Sequence, residues 1–309
     1  MAMKQVETPA SRETRSGLYA ALAAYVAWGF LPVYWKLLGG VPALEILSHR
    51  IVWSLLFVTL ILLFQGRMKE IAAVFRRPRT VSMLFLSSLL IGVNWLLYIW
   101  AVNSGKVLET SLGYYINPLV SVLFGFVFFR ERMEPIQWAA IAIATTGVLF
   151  QVIRYGRWPW VALGLALSFA LYGLIRKQVR VEAIPGLFAE TAFLVIPAMI
   201  FLLHAGVTSQ GSFLAGRFSL DMLLLGTGVV TSMPLLWFAF GARRLRLSTI
   251  GFLQYIAPTL GFILGTVVFH EQLDFPKIVT FICIWIALGL YSLGSFWASR
   301  REAQILEKA

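Results

Sequence analysis

The sequence predicts an all-α polytopic membrane protein of ten transmembrane helices, built as two inverted five-helix repeats with both termini in the cytoplasm. Three observations predict it. Of the 309 residues 59% are hydrophobic and 13% charged, whereas an ordinary soluble domain carries about 25% charged residues. Ten apolar runs of roughly 20 residues follow one another with short polar gaps, each long enough to cross a bilayer as a helix. The chain also matches itself at an offset of 140 residues.

The elements follow in order. Residues 1-16 are polar and mixed in charge, a cytoplasmic tail, and the full-length apolar run behind them has no small-residue cleavage site, so a removable signal peptide is not expected. Spans are predicted at 17-38, 43-65, 80-102, 107-129 and 135-153, then at 158-177, 184-204, 220-242, 247-269 and 276-298. Residues 299-309 form the second cytoplasmic tail. The run from Val81 to Trp100 is too long and too continuously apolar for a strand, and the ten-residue alternation of an outer-membrane barrel is missing.

Charge sets the orientation. The net charge is +12, but Lys and Arg in a membrane protein mark cytoplasmic loops, so no nucleic-acid partner is expected. Nineteen Lys and Arg fall in one alternating set of loops and tails, five of them in 66-79; the other set holds Lys106, Arg154, Arg157, Arg217 and Lys277. This split places both termini inside, as an even number of spans requires.

The repeat pairs Tyr115-Ile116-Asn117-Pro118 with Tyr255-Ile256-Ala257-Pro258, and then Gly125, Val127, Phe129 and Glu131 with Gly265, Val267, Phe269 and Glu271. The predicted units are 17-153 and 158-298. Five spans per unit make the second copy enter the membrane from the opposite side. Inverted repeats that exchange conformations are the usual basis of alternating access, so a transporter is the leading class; a receptor, a channel and an intramembrane enzyme are the alternatives.

The runs Ala23-Ala24-Tyr25-Val26-Ala27-Trp28-Gly29, Glu45-Ile46-Leu47-Ser48-His49-Arg50, Asn94-Trp95-Leu96-Leu97, Leu112-Gly113-Tyr114-Tyr115-Ile116-Asn117-Pro118-Leu119 and Arg243-Arg244-Leu245-Arg246-Leu247-Ser248-Thr249 resemble the RarD proteins of the EamA group in the drug/metabolite transporter superfamily. The resemblance runs over nearly the whole chain. It implies ten helices around a central cavity in the bacterial inner membrane, and ATP-independent export of a small polar or amphipathic metabolite or drug. The chloramphenicol-sensitivity label of RarD proteins describes a phenotype rather than a substrate.

A charge inside a span costs about 2.5–3.5 kcal/mol on insertion scales, so those present are expected to face the bundle interior with partners. Arg50 lies about eight residues into span two, roughly 12 Å deep. It is either a structural ion pair with Glu45 or another carboxylate, or the contact for an anionic substrate group or a gate. Glu45 and His49 share a helix face at i, i+4 and form either a proton relay or a polar patch. Glu190, deep in span seven, is either a coupling carboxylate or the partner of Arg50. Glu109 and Lys36 read as interfacial.

Pro118 and Pro258 are expected to kink spans four and nine and to free carbonyls near Asn117, Tyr115, Gln254 and Tyr255, a polar lining for a cavity. Trp28, Asn94 and Trp95 are second-rank candidates for that lining. Gly113, Asn117, Ser121 and Gly125 form a small and polar stripe on one face of span four, and of these Ser121 and Gly125, with Gly261 and Gly265 in span nine, read as close helix packing. The sequence has no GxxxxGK[ST] loop, no HExxH and a single cysteine, Cys283. No cofactor and no metal are expected, no catalytic residue is assigned, and the partners are the lipid bilayer, the small-molecule cargo and protons as a coupling ion.

Overall fold

The computed structural model describes residues 9–104, 106–208, 210–268 and 275–308. The helices are α1 (Pro9–Leu37), α2 (Ala43–Phe64), α3 (Met68–Phe75), α4 (Pro78–Asn103), α5 (Val107–Phe129), α6 (Pro135–Tyr155), α7 (Trp160–Gln178), α8 (Ala183–Val207), α9 (Phe218–Arg244), α10 (Leu247–Gln254), α11 (Ile256–Ile263) and α12 (Phe275–Lys308). A π-helical turn, Leu264–Val268, follows α11. Among the described residues ten stretches are long and apolar enough to cross a membrane, because α3 is short and α10, α11 and the π turn count as one. Their outer faces carry large apolar side chains such as Phe64, Ile153, Ile196 and Val207, as contact with lipid hydrocarbon requires.

Three features depart from the sequence reading. Both tails expected to be cytoplasmic are partly helical, since α1 starts at Pro9 and α12 runs to Lys308. Part of 66-79 is helical as well: α3 packs on α4 and α8, while Arg67 Nε and Nη2 donate to Glu70 at 2.5 and 2.8 Å and hold that carboxyl below the usual range. The two prolines also behave differently. Helix α5 runs unbroken through Pro118, whereas the ninth span breaks at Tyr255. Pro258 cannot donate to the carbonyl of Gln254, four residues back, and Tyr255 N–H instead donates to Phe252 O at 3.2 Å.

Helix contacts come in matched sets. Helix α1 packs on α9 and α11, and α7 on α4 and α5; α2 packs on α9, and α8 on α4. The pairs α2–α8, α5–α10 and α6–α12 each join one helix from the first five spans to one from the last five. The principal contacts therefore cross between the halves, which are interleaved rather than side by side. The largest buried core cluster draws on both, with Tyr25, Val58 and Ile91 packed among Tyr172, Leu187 and Phe238.

Candidate functional site

A cavity of about 400 Å³ lies where α1, α2, α4, α5, α7, α9, α10, α11 and α12 converge. Its wall includes Arg50, Asn94, Trp95, Tyr115, Asn117, Gln254, Trp28 and Pro258, eight of the residues nominated from sequence. Tyr25, Trp35, Tyr98, Tyr114, Phe169, Thr231, Lys277 and Phe281 also line it, and the sequence reading did not nominate them. Along each helix these residues sit in the half remote from the termini or at mid-depth, and Lys277 and Thr266 mark the far end.

Arg50 is carried by the close approach of α2 and α9. Gly228 makes that approach possible: a Cβ there would sit 2.5 Å from Trp53 O, and Ser54 Oγ donates to Gly228 O at 3.2 Å. One turn further along α9, Thr231 Oγ1 accepts from Arg50 Nε at 3.0 Å. The guanidinium carbon lies 4.9 Å from the Trp35 ring and 4.7 Å from the Trp95 ring. Four helices thus meet at one cation.

The two carboxylates nominated as partners for Arg50 are engaged elsewhere. Glu190 faces Arg176 at 3.6 Å and accepts from Ser87 Oγ at 2.5 Å and Tyr172 Oη at 3.4 Å. Arg176, read from sequence as a loop cation, is only 1% exposed. Glu45 accepts from Ser212 N–H at 2.5 Å and Ser212 Oγ at 3.0 Å, anchoring the turn before α9. His49 Nε2 is 4.0 Å from Glu45, while Nδ1 accepts from Trp53 Nε1 at 3.0 Å. Glu190, Glu45, His49, Pro118 and Tyr255 are all outside the cavity lining. Spacing along a helix gives depth but not which neighbour a face meets, so their partners could not be read from the chain.

The cavity floor is a polar relay. Gln254 Nε2 donates to Ser121 Oγ at 3.2 Å, and Ser121 Oγ donates to Asn117 Oδ1 at 3.4 Å. Gln254 Oε1 and the Tyr25 hydroxyl lie beside each other without a hydrogen bond of normal geometry. Asn94 divides its role, since Nδ2 donates to Leu165 O and Ser168 Oγ, both at 2.9 Å, and so ties α4 to α7. Tyr255 is fully buried, with its hydroxyl donating to Tyr115 O at 3.2 Å. Gly113 packs against Ala162 O on α7, but a Cβ on Gly261 would meet nothing within 4 Å, which corrects its reading as a packing glycine.

Toward the termini, polar contacts tie the helices together. Arg130 ends α5 in the left-handed conformation (φ 51°), which folds Glu131 back over Gly125. Glu131 then caps α10 by accepting from Leu247 N–H at 2.6 Å, Ser248 N–H at 2.9 Å and Ser248 Oγ at 2.6 Å. Lys177 Nζ donates to Leu245 O and Arg246 Nη2 to Arg132 O across the same end. Glu271, which the 140-residue offset pairs with Glu131, lies outside the described residues. At the far end Glu109, read as interfacial, is buried and accepts from Tyr155 Oη at 2.9 Å and Val161 N–H at 3.0 Å.

The comparisons agree with this architecture. The family model described as "EamA-like transporter family" matches residues 15–153. The chain is 44% identical to "Protein RarD" of Escherichia coli (strain K12), over 95% of this chain and 99% of that one. It is 46% identical to "Uncharacterized transporter YojE" of Bacillus subtilis (strain 168), over 91% and 94%. A solved crystal structure with 18% identity superposes with a TM-score of 0.70, covering 90% of this chain and 98% of the other, which bears on the fold alone.

Proposed function

The chain belongs to the RarD group of the EamA-like transporter family, and as a multi-pass protein of the bacterial inner membrane we propose that it is a secondary transporter. It carries a small polar or amphipathic metabolite through the cavity between its halves, outward from the cell, by alternating access. One observation supports this most: the cavity is walled by both halves, while Glu131, Lys177 and Arg246, none of them in its wall, tie helices of both halves together at the end that carries the termini. In our reading the tied end is the closed gate of one state of such a cycle. The excess of Lys and Arg in alternate loops supports cytoplasmic termini, so the cavity faces outward.

The matched helix contacts support residues 17-153 and 158-298 as the two inverted repeats. Substrate contact falls to Arg50, Asn117, Gln254 and the aromatic wall. Proton coupling falls to the His49–Glu45 pair, which acts beside the site without touching cargo. Proteoliposomes loaded with a bacterial metabolite extract test the reading by mass spectrometry. Solutes should exchange only when protein is present, with a response to an imposed pH gradient that His49→Gln removes. No exchanged solute, together with unchanged metabolite profiles in deletion and overexpression cells, overturns transport; a gradient-insensitive wild type removes the role of His49.

A further inference from the structure

We propose that the cavity takes a dissolved organic monoanion with a flat apolar body, its planar oxyanion seated on Arg50. The inference deepens the transporter reading and relies on it only for what happens after binding. A guanidinium has five N–H donors. The Nε donor of Arg50 is used by Thr231, while among the described residues no group accepts from Nη1 or Nη2, and Arg50 lines the cavity. The fork is held in place and left open.

Its charge is also left open. The rings of Trp35 and Trp95 attract the guanidinium by about 0.5–2 kcal/mol each, but a ring quadrupole carries no net charge. A half-buried cation inside the bundle without a counter-charge bears part of the several kcal/mol that full burial costs, and among the described residues no carboxylate lines the cavity. Glu45, Glu109 and Glu190 are spent on Ser212, on Tyr155 and Val161, and on Arg176. The missing negative charge is therefore expected to arrive with the cargo. Lys277, at the far end of the wall, adds to the same sign of potential.

Charge class and shape follow. A cation would be repelled, and the ammonium of a zwitterion would find no carboxylate among the described lining residues. A planar carboxylate can take two parallel N–H bonds from the open fork. Trp28, Tyr114, Phe169 and Phe281 supply aromatic surface for the remainder of the ligand, in a volume typical of small-molecule sites.

The test uses four probes with one phenyl body: phenylacetate, phenylacetamide, phenylalanine and phenethylamine. They are titrated against the full-length protein in nanodiscs by calorimetry and thermal shift. Phenylacetate should bind at least about tenfold more tightly than the other three. Arg50→Lys should lose about tenfold for phenylacetate, because a point charge replaces the fork. Lys277→Gln, at the rim, should lose a few-fold with an unchanged melting temperature, so the result does not depend on Arg50 variants folding.

Equal or tighter binding of the amide, the zwitterion or the amine overturns the proposal, and so does the absence of any response up to tens of millimolar. Phenylacetate affinity should be the same in phosphatidylcholine and phosphatidylglycerol discs; loss in the latter would assign the fork to a lipid headgroup and overturn a dissolved cargo. Preference for the anion with no exchange in the metabolite-extract assay would count against transport alone. Exchange with no preference would count against the anion site alone.

Discussion

Glu190 and Arg176 are 2% and 1% exposed, and Ser87 and Tyr172 complete the shell of the carboxylate. Gly186 passes so close to the guanidinium that a Cβ there would overlap Nη1. Removing one partner of a buried pair typically costs about 3–5 kcal/mol, while replacing both with apolar groups can be neutral. Glu190→Gln should therefore lower the melting temperature of the purified protein strongly, and adding Arg176→Met should restore much of it. A Glu190→Gln protein with normal stability and altered transport affinity would instead return this residue to the transport chemistry. At this scale the sequence revealed which groups are buried deeply and left their pairing open. Arg50 and Glu190 were both recognised as charges too deep for water, but Arg176 looked like a loop cation because it ends a span.

Between elements, Gly228 governs how closely α9 lies on α2, and through it where Thr231 meets Arg50. Gly228→Ala sets a methyl group against the Trp53 backbone, an overpacking that typically costs about 1–3 kcal/mol. The expected result is a lower melting temperature together with weaker ligand binding, since the helix bearing Thr231 must shift. Unchanged values for both would show that the contact is relaxed. The spans themselves were legible because bilayer thickness fixes their length. What followed each proline was not legible: the same Tyr-Ile-X-Pro pattern occurs in an unbroken α5 and at the break between α10 and α11, so tertiary contacts decide whether the lost donor opens the helix.

For the whole molecule, the main packing surfaces run between the first five spans and the last five. Neither half encloses a core of its own: Tyr25 packs on Phe238, and Trp28 on Phe169 and Phe238. Residues 1–155 and 156–309 expressed separately should each insert and be degraded, while co-expression should recover a stable complex. Accumulation of either half alone would contradict the interleaving. The 140-residue offset is visible in Tyr, Pro, Gly and Glu at constant spacing, but the interleaving is not, because apolar helix faces carry too little information to name their partners.

The bond from the Tyr255 hydroxyl to Tyr115 O spans 140 residues, the offset at which the sequence matches itself. Two equivalent residues thus grip each other across the molecule with only one hand closed, while the Tyr115 ring is turned onto Phe281 at 5.4 Å. Such a clasp behaves as a balance with a weight on one pan. Lifting the Tyr255 hydroxyl unloads the conformer seen in the structure, and lifting the Tyr115 hydroxyl unloads its mirror. With one hydrogen bond worth about 1 kcal/mol, each change tips the ratio of conformers by about fivefold. In a Cys283→Ser background, a cysteine replacing Thr266 should react more slowly with an outside reagent in Tyr255→Phe and faster in Tyr115→Phe. Equal shifts in the same direction would mean that the clasp is not shared.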